Sequence, residues 1–250
     1  MPEHIGVSPE RLIYGTMRMG EVTRSVAEWS DFLRSLHALG ITKLHSSSEY
    51  DTFPLLCEIL QHLAQYEDPP EFTHIVKLAE PSFNDMGFDA GRLEQKIDAY
   101  RQALGSECIH AVQWMWRQNL NDDAGRIGQF ERALAAIAPA IAALKSAGKI
   151  RLFLCFPYSV DFAQAAIASE IIDGLAVYRN ADETEYDPLI QNCADMKKIV
   201  LVIRPLNAGK VLANEFIPAA SHVQMALDMP AIEAGIISSN SLDHIRELLA

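Results

Sequence analysis

The stretch Gly40-Ile41-Thr42-Lys43-Leu44-His45-Ser46-Ser47-Ser48-Glu49-Tyr50 decides how the rest of the chain is read. Glycine stops what precedes it, and Ile41 and Leu44 form a brief apolar segment bounded by serines. A short buried strand accounts for that pattern better than a helix does. The strand runs out into polar side chains and ends at a tyrosine. In α/β folds ligands bind at the carboxyl ends of strands, so function is sought here first.

The same pattern of strand, polar loop and helix recurs on both sides. Upstream, Arg11–Gly15 reads as a strand with Thr16-Met17 beyond it, and Ser25–Leu39 has helical spacing through Val26, Trp29, Phe32, Leu33 and Leu36. Downstream, strands are expected at Phe72–Leu78, Cys108–Met115, Ile150–Phe156, Gly174–Tyr178, Ile199–Ile203 and Ala231–Ile237. Helices are expected at Pro54–Gln65, Arg92–Leu104, Ile127–Ala147, Val160–Ala168, Thr184–Met196, Glu215–Leu227 and Ser241–Leu249. Polar loops fall at Glu80–Gly91 and Trp116–Gly125, the second carrying the acidic run Asn121-Asp122-Asp123, read as solvated. Strands apolar on both faces, alternating with helices, imply a parallel sheet covered by helices. About eight such units in 250 residues imply a single (β/α)8 TIM barrel, one domain over residues 1–250. No G-x-G-x-x-G follows the first strand, which argues against an open dinucleotide-binding sheet.

Composition narrows the partners. Hydrophobic content of 49% with 22% charged residues describes an ordinary globular chain. No apolar run is read as long enough to span a bilayer, and Met1-Pro2-Glu3-His4 lacks the basic and apolar parts of a signal peptide. A net charge of -12 works against nucleic-acid binding. Cys57, Cys108, Cys155 and Cys193 show no C-x-x-C pairing, so small buried hydrophobes in a reducing cytoplasm are expected, with no membrane partner. His45, His74 and His110 lie on neighbouring strands without ligand spacing, and no metal site is expected. By strand alternation His74 should point away from Lys77.

In order and spacing the pieces resemble the aldo-keto reductase family over nearly the whole chain. Leu12-Ile13-Tyr14-Gly15-Thr16-Met17 looks like its opening strand, and Gly40–Tyr50 like its G-x-x-x-x-D-T-A-x-x-Y-G segment. Val76-Lys77 sits where the family has a strand-ending lysine, Gly148-Lys149-Ile150-Arg151 is similar to its G-K-I-R, and Ile203–Gly209 to its P-L-x-x-G loop. The resemblance implies a barrel that reduces carbonyls with NADPH, using aspartate, tyrosine, lysine and histidine from successive strand ends. A tyrosine of ordinary pKa near 10 is a poor acid at neutral pH, and a nearby ammonium is needed to favour its phenolate.

Carried over residue by residue, half of that set survives. Tyr50 and Lys77 match; His45 stands at the aspartate position and Met115 at the histidine position, while His110 takes the place of the family's fourth-strand aspartate. A thioether cannot donate to a carbonyl oxygen. The G-x-S-N signature is replaced by Leu154-Cys155-Phe156-Pro157, and Q-x-x-Y-N survives as Tyr178, with Leu175 and Arg179 in place of its amides. For the cofactor the resemblance implies Gly15, Thr16, Tyr178, Arg204, Leu206 and Gly209. His244, with Arg246 as the other choice, stands in for the cation that meets the 2'-phosphate. Trp116 and Tyr158, with Phe83, lie on loops of the same face and are expected to line the pocket. The chain ends at Ala250, where family members continue into a loop over the substrate, which implies a more open pocket. The expected function is a divergent aldo-keto-reductase-like oxidoreductase that reduces a small carbonyl compound with NADPH on an incomplete tetrad. The alternative is a catalytically retired barrel that binds a metabolite or a protein partner. A third reading is a different enzyme that uses Lys77 or His45 as a base.

Overall fold

Eight short strands close on themselves. In this computed structural model, which describes residues 6–213 and 217–250, they are β1 (Leu12–Gly15), β2 (Lys43–Ser46), β3 (Thr73–Ala79), β4 (Ile109–Met115), β5 (Ile150–Cys155), β6 (Gly174–Tyr178), β7 (Ile199–Ile203) and β8 (Ile232–Ile237). Each pairs in parallel with the next, and β8 returns to β1 through Ile13 beside Ile236, so the sheet is a closed barrel. Helices α1 (Val26–Ala38), α2 (Phe53–Leu63), α3 (Ala90–Leu104), α4 (Asp123–Ser146), α5 (Val160–Ala168), α6 (Asp187–Asp195), α7 (Ala219–Leu227) and α8 (Leu242–Leu249) alternate with the strands. The TIM-barrel expectation holds.

Two hydrophobic layers explain why the strands are apolar on both faces. Outward residues such as Leu44, Val76, Val112, Phe153 and Val202 pack under the helices. Inward residues Ile13, Ile75, Ala111, Leu154, Ala176, Leu201 and Ala234 fill the barrel. At the carboxyl end, Ala79, Met115 and Phe156 form a separate apolar patch with Tyr178 and Ile203. The small residues let the strands close: a Cβ on Gly174 would sit 1.9 Å from the Ile199 carbonyl oxygen of β7. Gly40 ends the first helical segment at a φ of 88°, a backbone state that glycine adopts without steric cost.

Several boundaries differ from expectation. Arg11 belongs to a 3-10 turn before β1, and its guanidinium donates to the carbonyls of Leu227 and Ile232. Helix α4 begins at Asp123, because Asp122 caps it by accepting from the Gly125 N–H at 2.9 Å, and Asp123 pairs with Arg126. The acidic run is thus a helix start. Helix α6 begins at Asp187, since Asn180 and Glu183 close an antiparallel bridge ahead of it. The expected helix start at Glu215 lies outside the described residues, and α7 starts after Pro218. Among the described residues, α4 is long and apolar enough to cross a bilayer, contrary to expectation. In this fold it is a wall helix, with Phe130, Ile137, Ile141 and Leu144 turned to the core.

Candidate active site

The carboxyl end of β2 and the loop after it build one side of the barrel mouth. Two successive turns fold the loop, with Tyr50 N–H donating to the Ser47 carbonyl at 3.0 Å and Phe53 N–H to the Tyr50 carbonyl at 2.9 Å. Tyr100 of α3 ties this loop to β3: its hydroxyl accepts from the Ser48 N–H at 2.7 Å and donates to the Lys77 carbonyl at 2.8 Å. As a result the Lys77 ammonium lies over the Tyr50 ring, 5.6 Å from its centroid, and the His45 ring lies 6.4 Å from that of Tyr50. His45, Tyr50 and Lys77 are therefore neighbours at the mouth. No hydrogen bond joins Lys77 to the Tyr50 hydroxyl; the ammonium meets the ring face.

His45 is buried, and its Nε2 lies 2.8 Å from the Gln113 side-chain oxygen, which accepts the Nε2–H. Burial, opposed by the Gln113 hydrogen bond and assisted by Lys77, lowers its pKa to about 4, so the ring is neutral at pH 7. Burial raises the Tyr50 hydroxyl well above the ordinary range, with Tyr100, Glu49 and Tyr178 adding to it and Arg117 opposing. Lys77 is lowered by burial and by Arg117, against Glu49. Tyr50 therefore keeps its proton at neutral pH, and the cation that favours its ionisation is Arg117.

Met115 is fully buried in the apolar patch, and its sulfur receives two donors: the Tyr158 hydroxyl at 3.2 Å and Arg117 Nη2 at 3.5 Å. Arg117 also donates from Nε to Tyr158 Oη at 2.9 Å, and its fork grips Glu49 at 2.5 and 2.8 Å. Lys77 Nζ lies 3.9 Å from the same carboxylate. Arg117, Glu49 and Gln113 were not among the sequence candidates. Tyr158 stands at the mouth, its hydroxyl on the Met115 sulfur. Trp116 does not line it: strand alternation puts Met115 inside and turns Trp116 outward, where its ring packs on Trp114 and Phe130. His110 sits at the opposite, amino-terminal end with Lys43 and Glu233. His74 pairs with outward-facing Leu44, away from Lys77, as alternation requires.

The expected cofactor residues fall into two groups. Around Tyr178, the guanidinium of exposed Arg204 lies 4.6 Å above the ring, and Phe156 meets it edge-on at 5.4 Å. Arg204 has a φ of 57°, and Asn207, Ala208 and Gly209 are also left-handed; the N–H groups of Asn207 and Gly209 close this turn on the carbonyls of Arg204 and Leu206 at 2.9 and 2.7 Å. Among the described residues the Arg204 side chain has no acidic partner, so this corner fits a phosphate. The second group is engaged within the fold. Thr16 is buried, donates to the His45 carbonyl at 3.2 Å and accepts from Thr52 at its own carbonyl. A Cβ on Gly15 would strike Ser238 Oγ at 2.4 Å. Leu206 packs against the outer core, and His244 is exposed in the first turn of α8, where its N–H donates to Ser241 Oγ.

Neither a protein-family profile nor a curated protein matches the sequence. Solved structures do. A suggested aldo-keto reductase from Pseudomonas aeruginosa superposes with a TM-score of 0.73 at 20% identity, covering 96% of this chain and 88% of that one. The fold is the aldo-keto reductase barrel. An aldo-keto reductase from Bacillus halodurans, in its holo form, gives 0.72 at 13% identity over 96% and 85%. One from Klebsiella pneumoniae in complex with NADPH gives 0.69 at 16% over 96% and 84%. At such identities the likeness to aldo-keto reductases describes the backbone, and the chemistry has to be argued from side chains.

Proposed function

We propose that this barrel is an NADPH-dependent oxidoreductase that reduces a small carbonyl compound, with Tyr50 as proton donor. The meeting of Tyr50 and Lys77 at the mouth of this particular fold carries the reading. The Arg204 guanidinium would hold a phosphate, and Tyr178 would flank the nicotinamide. When bound, the reduced nicotinamide supplies the hydride that a carbonyl carbon accepts. Tyr50 holds its proton at Oη at neutral pH and gives it to the carbonyl oxygen as negative charge develops there. Arg117 beyond Glu49 favours the phenolate that remains, and Lys77 lies over the ring face. Neutral His45 donates to Gln113 and orders the floor below. The Met115 side chain itself donates no hydrogen bond to the carbonyl, and slow turnover is expected.

A melting experiment tests the reading. A ligand at 100 times its dissociation constant adds about 2.7 kcal/mol, and at roughly 2–4 °C per kcal/mol the melt rises about 5–10 °C. NADPH should produce such a rise, and Tyr50→Phe should keep it while losing reduction of small aldehydes by about 10²–10⁴-fold. A melt unmoved by millimolar NADPH and NADH would sink the oxidoreductase assignment.

A second reading, a barrel that binds a metabolite without chemistry, has one observation in its favour. Arg117 and Tyr158 direct their donors at the Met115 sulfur and at Glu49, so they are engaged with the protein's own side chains. Binding of a small carbonyl compound with no NADPH-dependent turnover is the outcome that selects it.

A further inference from the structure

The mouth holds two cations around one carboxylate, and the three are unequally secured. Arg117 follows β4 closely, and its side chain is 10% exposed. Its Nε is fixed on Tyr158, one Nη faces the Met115 sulfur, and the Phe83 ring lies 5.2 Å from its Cζ. What remains is an outward fork whose two parallel N–H groups match a carboxylate. Glu49 fills that fork from a turn, with its side chain 42% exposed. Lys77 approaches the same carboxylate at 3.9 Å and has no other acidic partner among the described residues. A half-exposed loop side chain is a weakly held counter-ion for the Arg117 guanidinium. Beside the fork lies the apolar patch of Ala79, Met115, Phe156 and Tyr178.

We propose that Arg117 and Lys77 form a receptor for the carboxylate of a small ligand, and that Glu49 is a displaceable plug in it. The ligand carries its carboxylate into the fork and its apolar body onto the Phe156–Tyr178 side. Where this rests on the reductase reading, it assigns the substrate class: oxo acids, reduced to hydroxy acids.

Calorimetric titration of the full chain, without cofactor, uses 2-oxo-4-phenylbutanoate and its ethyl ester as probes. The acid should bind and the ester should not. Glu49→Gln should bind the acid about tenfold more tightly, because the competing carboxylate is gone. Arg117→Lys keeps the charge but loses the fork, and should bind about tenfold more weakly. Equal binding of acid and ester, or no gain in Glu49→Gln, overturns the proposal. Should Arg117→Lys fail to fold by its melting curve, those two comparisons decide alone. Acid binding without NADPH-dependent reduction sinks the reductase reading and leaves the carboxylate site standing. Reduction of the ester with no preference for the acid does the reverse.

Discussion

Two glutamates in this barrel each sit between an arginine and a lysine, and they are built in opposite senses. Glu80, just after β3, has a side chain with no exposure; it is gripped by Arg92 at 2.7 and 2.6 Å and by Lys96 at 2.8 Å, and it accepts from the Asp89 N–H. There the carboxylate is sealed in and the cations reach the solvent. Around Glu49, just after β2, the arginine is sealed in and the carboxylate reaches the solvent. A sealed carboxylate holds its loop in place. A carboxylate on the wet side of a sealed cation can leave without unfolding anything, so the second triad has the form of a site and the first that of a clamp.

Each triad follows a strand with a buried histidine, and the largest effect expected concerns those two. His45 on β2 and His74 on β3 are both lowered from 6.5 to about 4 by burial. With folded values below the unfolded one, the unfolded chain binds more protons between pH 6.5 and 4. Stability is then full above pH 6.5 and is lost as the pH falls toward 4. At 1.36 kcal/mol per unit, each histidine costs on the order of 3 kcal/mol across that window. His45→Gln, whose amide can still donate to Gln113, should remove about half of the acid sensitivity in urea melts at pH 7, 5 and 4. An unchanged slope would mean that the ring is hydrated and the mouth more open than its burial implies.

The next effect separates the clamp from the site directly. Glu80→Gln keeps the volume but removes the charge shared by Arg92 and Lys96. Breaking a buried pair by removing one partner costs about 3–5 kcal/mol, and the lower end applies because both cations are a third exposed. A melting point lower by roughly 6–12 °C is expected. A loss below about 1 kcal/mol would put Glu80 in the same class as Glu49 and erase the contrast.

How far each triad was legible in the sequence follows from its span. The barrel was readable because alternating apolar strands and helices are local patterns, and Tyr50 and Lys77 could be singled out because one falls just past β2 and the other within β3, each in a recognisable segment. Glu49 and Arg117 stand 68 residues apart and meet because the loops after β2 and β4 both lean over β3 between them. No spacing rule encodes that. Gln113 could have been found: it lies two residues before Met115, so the alternation that faces one inward faces the other inward too. The same count turns Trp116 out of the pocket. Tyr100 could not, because its hydroxyl reaches Ser48 and Lys77 from a helix that the pattern marks only as wall.

The smallest stability effect expected is the one that most sharpens the contrast. Glu49→Gln alters a pair whose carboxylate is nearly half in water, where such pairs are worth about 0–1 kcal/mol. The melting point should therefore move by less than about 4 °C. The glutamine oxygen can still accept one hydrogen bond from the fork, and the loop from Ser47 to Phe53 keeps its two backbone turns and the Tyr100 hydroxyl on the Ser48 N–H. Loss of the negative charge also relieves Tyr50, whose hydroxyl Glu49 helps to raise, so its titration followed by ultraviolet absorbance should shift downward in the variant. A large drop in melting point together with an unmoved Tyr50 would mean that Glu49 braces the mouth as Glu80 braces its loop. A near-silent melt with a shifted tyrosine is what a displaceable plug beside a proton donor requires.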